Sequence, residues 1–170
     1  MKKLFGILLA VVMMFSVVGV LAACNTSTEI YMITDIGDID DKSFNEGTWN
    51  GVKEWATKNN KSYAYLKPTS SEKADLDAAI ALAVKGGAKV IVCPGFVFTD
   101  SINDCAKKYP EVKFVLLDSQ AATAANVASF SYNAEYSGWL AGYAAVKEGM
   151  AKLAYMGGIG YPTVYSFGIG

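Results

Sequence analysis

From Thr34 to Asn45 the chain reads Thr-Asp-Ile-Gly-Asp-Ile-Asp-Asp-Lys-Ser-Phe-Asn, placing Asp35, Asp38, Asp40 and Asp41 beside a lone Lys42. Carboxylates accept hydrogen bonds from hydroxyl and N–H groups. Three other segments carry related groups: Pro94-Gly95-Phe96-Val97-Phe98, Asp118-Ser119-Gln120, and Gly157-Gly158-Ile159-Gly160-Tyr161-Pro162. Aromatic faces such as Phe96 stack planar rings at about 1–3 kcal/mol each. Together these residues suit a neutral polyhydroxy ligand bearing a flat ring, a nucleoside for example. They do not suit a phosphorylated one, because four aspartates near one helix start repel phosphate and Lys42 alone does not offset them. Plainer roles stand beside these. Asp38, Asp40 and Asp41 could simply favour a helix N-terminus. Phe96 and Phe98 could be core residues, Asp118 could cap a turn, and the paired glycines could only permit a bend.

Composition removes several chemistries. The chain has no histidine and no arginine. Histidine general-base catalysis and bidentate arginine clamping of phosphate are therefore unavailable to it. Net charge is −1 and no basic stripe occurs, so nucleic acid is not an expected partner. No motif calls for a cofactor or a metal.

The elements that would position these groups follow from periodicity. Short apolar runs read as strands at Glu29–Thr34, Ser62–Leu66, Val90–Cys93, Lys113–Leu117, Val127–Phe130 and Lys152–Met156. Helical spacing covers Ser43–Asn59, Ser71–Val84, Thr99–Tyr109 and Tyr132–Met150, and Pro162 suits the first turn of a further helix. Ser43 followed by Glu46 suggests a capping box, and Phe44, Val52 and Trp55 are candidate core contacts of that helix. Gly86-Gly87 closes the second helix. Strand and helix alternate throughout, which predicts an α/β fold with a doubly wound parallel sheet. In such sheets ligands bind at the carboxyl ends of the strands, where the polar segments above fall.

The N-terminus carries an address. Met1-Lys2-Lys3, an apolar run from Leu4 to Val20, and Leu21-Ala22-Ala23-Cys24 make a secretory signal of the lipoprotein type. Cleavage before Cys24 and diacylation of its thiol would tether the chain to the extracytoplasmic face of a membrane. An uncleaved spanning anchor is the alternative reading, since Leu4–Ala23 is just long enough to span. Of the other cysteines, Cys93 and Cys105 read as buried free thiols in preference to a bridge.

The stretch Ile33–Asn45, continuing to Trp49-Asn50-Gly51, resembles the opening of the basic membrane protein (PnrA-like) family of ABC transporter substrate-binding lipoproteins. Its Asp-Asp-Lys-Ser-Phe-Asn core is the specific part. Phe114-Val-Leu-Leu-Asp118, the run from Phe130 through Gly138 to Gly142, and Gly157–Pro162 match that family in the same order. The resemblance implies two Rossmann-like lobes that close over ligand like type I periplasmic binding proteins. It divides the chain into a signal peptide (1–23), a tether (24–28), an N-terminal lobe (29–150) and the start of a second, largely absent lobe (151–170). It places Asp41, Ser43, Phe44 and Asn45 on the cleft, with Asp118 bonding the ligand and Phe96 and Trp49 as further ring contacts. It implies a purine nucleoside receptor that is not an enzyme and delivers its ligand to an ABC permease. A sugar or autoinducer receptor or sensor of the same fold is the alternative, and an Mg-dependent phosphoryl-transfer enzyme is the least favoured reading.

Overall fold

A computed structural model describes residues 27–119 and 124–170. The expected signal peptide, Cys24 and Gln120 lie outside the described residues. Five strands form one sheet: β1 (Ile30–Ile33), β2 (Tyr63–Leu66), β3 (Val90–Pro94), β4 (Lys113–Leu117) and β5 (Val127–Phe130). Their order is β2-β1-β3-β4-β5, and every pair is parallel. The helices are α1 (Phe44–Lys58), α2 (Lys73–Lys85), α3 (Thr99–Lys108), α4 (Ala134–Lys147) and α5 (Pro162–Ile169), with a 3-10 turn at Phe96–Phe98 before α3. This is the α/β parallel sheet that the alternation predicts.

Strand periodicity divides the core. Side chains of a strand alternate between faces. Ile33, Ile91, Cys93, Phe114 and Leu116 therefore turn to one side, where Leu76 and Ile80 of α2 and Ile102, Cys105 and Ala106 of α3 seal them. Ile30 and Met32 turn to the other side and meet Trp49, Val52 and Ala56 of α1. Lys73 ties the two helices of the first face, pairing with Asp77 at 2.7 Å and Asp104 at 2.9 Å. On the α1 face Val92, Val115 and Leu117 are only half-buried. They wall an apolar groove of about 500 Å³ with Trp55, because α4 leaves the sheet and packs on α5.

Three sequence expectations need correction. Lys152–Met156 is not a strand: it is exposed and joins no ladder, and a strand without a neighbour has no partner for its backbone groups. The capping box at Ser43 does not form. Ser43 stands at the N-cap position of α1 without a side-chain cap bond, and Asp41 does the capping instead. The inward stripe of α1 is Asn45, Trp49, Val52 and Ala56, one helical face at intervals of three and four. Trp55 falls off that stripe and is 56% exposed, while Phe44 is at the margin. Leu140 and Tyr143 of α4 face outward and bury little.

Both described cysteines are free thiols and buried, as the sequence suggests. Burial drives the Cys93 thiol far above its ordinary value and pushes Cys105 up to about 11.

Candidate functional site

The carboxyl ends of the strands form a rim of two parts. The first is the aspartate loop after β1. The Asp41 carboxylate accepts the N–H of Ser43 at 2.8 Å, of Glu46 at 3.1 Å and of Asn45 at 3.2 Å. It thereby takes up the orphan donors at the start of α1. The Glu46 carboxylate turns back to the N–H of Lys42 at 2.9 Å. Desolvation pulls the Asp41 pKa upward, but the hydrogen bonds from Glu46, Asn45 and Ser43 outweigh it and hold the group below 3.8.

Asn45 is buried and braces this loop from beneath. Its Nδ2 donates to Asp35 Oδ1 at 2.7 Å and to Asp41 Oδ2 at 2.8 Å, and its Oδ1 accepts the Asp35 N–H at 3.3 Å. A side chain at Gly37 would collide with the Asn45 amide, so glycine there keeps the brace intact. Asp38 pairs with Lys67 at 2.9 Å on the outer side. Trp49, one turn further along α1, lies in the core and meets Tyr63 and Tyr65 edge-on at 5.5 and 5.3 Å.

The second part is a cavity of about 600 Å³ at the ends of β3, β4 and β5, closed by the start of α5. Phe96 and Asp118 both line it, together with Tyr132, Tyr161 and Thr163. Gly95 turns the chain out of β3 with φ +107, a conformation that glycine takes without a Cβ penalty, and this sets Phe96 at the mouth. Asp118 ends β4 with φ +58. A non-glycine residue held in the left-handed region is strained, and such strain gathers at functional positions. Beneath it, the Thr99 hydroxyl donates to the Phe96 carbonyl at 2.6 Å and stands 2.8 Å from Ser119 Oγ. The single Thr99 proton is used on the carbonyl, so Ser119 donates to Thr99.

Electrostatically the cavity is acidic. Asp118 and Glu135 line it, and among the described residues no lysine does. Burial raises the Asp118 pKa above 3.8, with the Thr163 hydroxyl at 3.5 Å from Oδ1 opposing the rise. Among the described residues no three carboxylate or thiol groups gather to hold a metal ion.

Of the residues singled out in the sequence, Phe96 and Asp118 thus share one cavity. Phe44 reaches its wall, edge-on to Tyr132 at 5.9 Å. Asp41 and Asn45 build the neighbouring loop, Ser43 stands exposed at the α1 start, and Trp49 packs inside. Tyr132 and Thr163 were not expected at the site. Ser131-Tyr132-Asn133 follows the end of β5, so the strand-end rule that found Asp118 reaches Tyr132 as well. Thr163 arrives only through the placement of α5, which carries no local signal.

Residues 28–170 match the family model of Bmp, the PnrA-like ABC transporter substrate-binding proteins. An ABC transporter nucleoside-binding protein, BmpA, from Lactococcus lactis subsp. cremoris is 30% identical over 84% of this chain and 41% of its own length. Basic membrane protein A from Borreliella burgdorferi is 30% identical over 99% of this chain and 50% of its own. The chain therefore spans about half the length of these curated relatives. An ABC transporter solute-binding protein from Aeropyrum pernix K1 shares the fold, with a TM-score of 0.68 at 22% identity over 82% of this chain and 40% of that one.

Proposed function

The chain belongs to the Bmp family of PnrA-like ABC transporter substrate-binding proteins, and on that premise we propose that it is the N-terminal lobe of a membrane-anchored receptor for purine nucleosides. The observation that carries the reading is the pairing of Phe96 with Asp118 on one lysine-free cavity at the strand ends. A flat base would stack on the phenyl face, and ribose hydroxyls would donate to the carboxylate. Acidic walls favour the nucleoside over its phosphate esters. The nucleoside-binding name of the Lactococcus lactis relative supports the same ligand class.

The rest of the proposal follows the sequence. Residues 1–23 serve as signal peptide, Cys24 carries the lipid and residues 24–28 are the tether. Residues 29–150 form the first lobe, and residues 151–170 begin a second lobe that would complete the cleft beyond Gly170. Among the described residues no helix is long and apolar enough to cross a membrane. The loaded receptor would close by hinge motion and dock on an ABC permease. We assign it no catalytic role and no cofactor.

Calorimetric titration of the protein carried to its natural stop, with purine nucleosides, pyrimidine nucleosides and ribose, tests the ligand. Saturable binding of purine nucleosides supports the reading. A ribose signal with silence from every nucleoside moves the ligand to sugars and refutes it. Cys24→Ser tests the anchor, and continued membrane association of that variant would refute the lipoprotein assignment.

A further inference from the structure

The two groups assigned to the ligand are both engaged by the chain itself. The Tyr161 ring lies on Phe96 with centroids 4.0 Å apart and planes 25° apart. The Tyr161 hydroxyl donates to the Asp118 carbonyl at 3.4 Å, and the Thr163 hydroxyl donates to Asp118 Oδ1 at 3.5 Å. We propose that Tyr161 and Thr163 are an internal stand-in for the ligand, a ring on Phe96 and a hydroxyl on Asp118, which a ligand must displace to bind. This rests on the ligand reading above and adds a competitor to it.

The geometry favours displacement over insertion. Rings stack at about 3.5–4 Å, so a stack of 4.0 Å leaves no space for a third ring between its members. At 3.4 and 3.5 Å the hydroxyl contacts are longer than ordinary O–H···O bonds and are easily exchanged. Tyr161 is also mounted to move. It is the N-cap residue of α5 in an extended conformation. It follows the exposed run 150–160, which joins no ladder. A side chain at Gly157 or Gly160 would meet Val164 or Tyr165 of α5, so the approach to Tyr161 rests on α5 and would move with it.

Displacement and insertion give different arithmetic. If the ligand base replaces Tyr161, one stack is lost and one gained, so deleting the Tyr161 ring removes a competitor and tightens binding. If the base enters between the parted rings, one stack is lost and two are gained, and deleting Tyr161 leaves affinity unchanged.

The test is calorimetric titration of adenosine, guanosine and uridine into the full chain and its variants. Tyr161→Ala and the bulk-retaining Tyr161→Leu are expected to bind about two- to ten-fold more tightly than the parent, the worth of one aromatic pair. Tyr161→Phe, which keeps the stack, is expected to match the parent, and Phe96→Ala to weaken binding. Hydrogen exchange at 159–163 is expected to rise when ligand is added. Binding by Tyr161→Ala or Tyr161→Leu where the parent is silent also supports the proposal. Unchanged or weaker binding by both, with a parent that binds, overturns the stand-in and leaves the ligand reading intact. Silence from the parent and both variants overturns the two together.

Discussion

Replacing Asn45 by alanine separates a structural brace from a ligand contact. Asn45 is 2% exposed. Its loss removes the bond to the Asp35 N–H at 3.3 Å and two charge-assisted bonds, at 2.7 and 2.8 Å, to the Asp35 and Asp41 carboxylates. A neutral hydrogen bond contributes ~1 kcal/mol net, and one to a charged group ~1.5–3 kcal/mol. The simple sum overstates the cost, because Asp41 is exposed and water can solvate carboxylates once the amide is gone. We expect a loss of about 2–4 kcal/mol. Urea unfolding followed by the fluorescence of Trp49, one turn away on α1, reads it directly. At a slope of ~1–3 kcal/mol/M, the midpoint falls by about 0.7–4 M. A midpoint unchanged from the parent, with nucleoside affinity lost, would refute the argument and place the Asn45 amide on the ligand.

Further outcomes are expected. Asp118→Ala lowers nucleoside affinity about ten-fold or more, as for a lost charge-assisted bond. In the parent, affinity falls as pH drops through the raised Asp118 pKa, with a midpoint above 3.8, whereas Asp118→Asn removes that dependence; titrations across pH 3–7 check both. The stability effect of the same group runs the other way: a raised folded pKa favours the protonated fold, so its contribution is largest at low pH and is lost as pH rises through that value. Thiol labelling modifies Cys93 and Cys105 only in urea, because both are buried and their pKa values raised by burial; rapid labelling of the folded protein would contradict the packing. Phe98→Ala, at a fully buried position, destabilises by about 3–5 kcal/mol in the same unfolding assay.

The elements that sequence made legible share a cause. The expected bounds of β4 and β5 are the observed ones, because Phe114–Leu117 is a continuous apolar run of a central strand and Val127–Phe130 extends the sheet from it as the edge strand. Phe96 and Asp118 were legible because strand ends converge on one rim whatever the loops do. Other features needed three-dimensional competition. Ser43 is an acceptable cap by residue type, yet the Asp41 carboxylate reaches the same N–H groups with a full charge and wins. Trp55 has the hydrophobicity of a core residue, but the inward phase of α1 is fixed by Trp49 and Ala56, and helical geometry leaves Trp55 outside. Lys152–Met156 has strand composition without a neighbour to pair with. The meeting of Tyr161 with Phe96 joins positions far apart in sequence through the placement of α5, which no local pattern encodes.

The most direct test of the central claim, that a lysine-free acidic cavity at the ends of β3–β5 takes an uncharged nucleoside, is a side-by-side titration of guanosine and its 5′-monophosphate. Saturable binding of guanosine with no saturation by the monophosphate is the expected result. Equal or tighter binding of the monophosphate would contradict the claim, because Asp118 and Glu135 could not then be the groups facing the ligand.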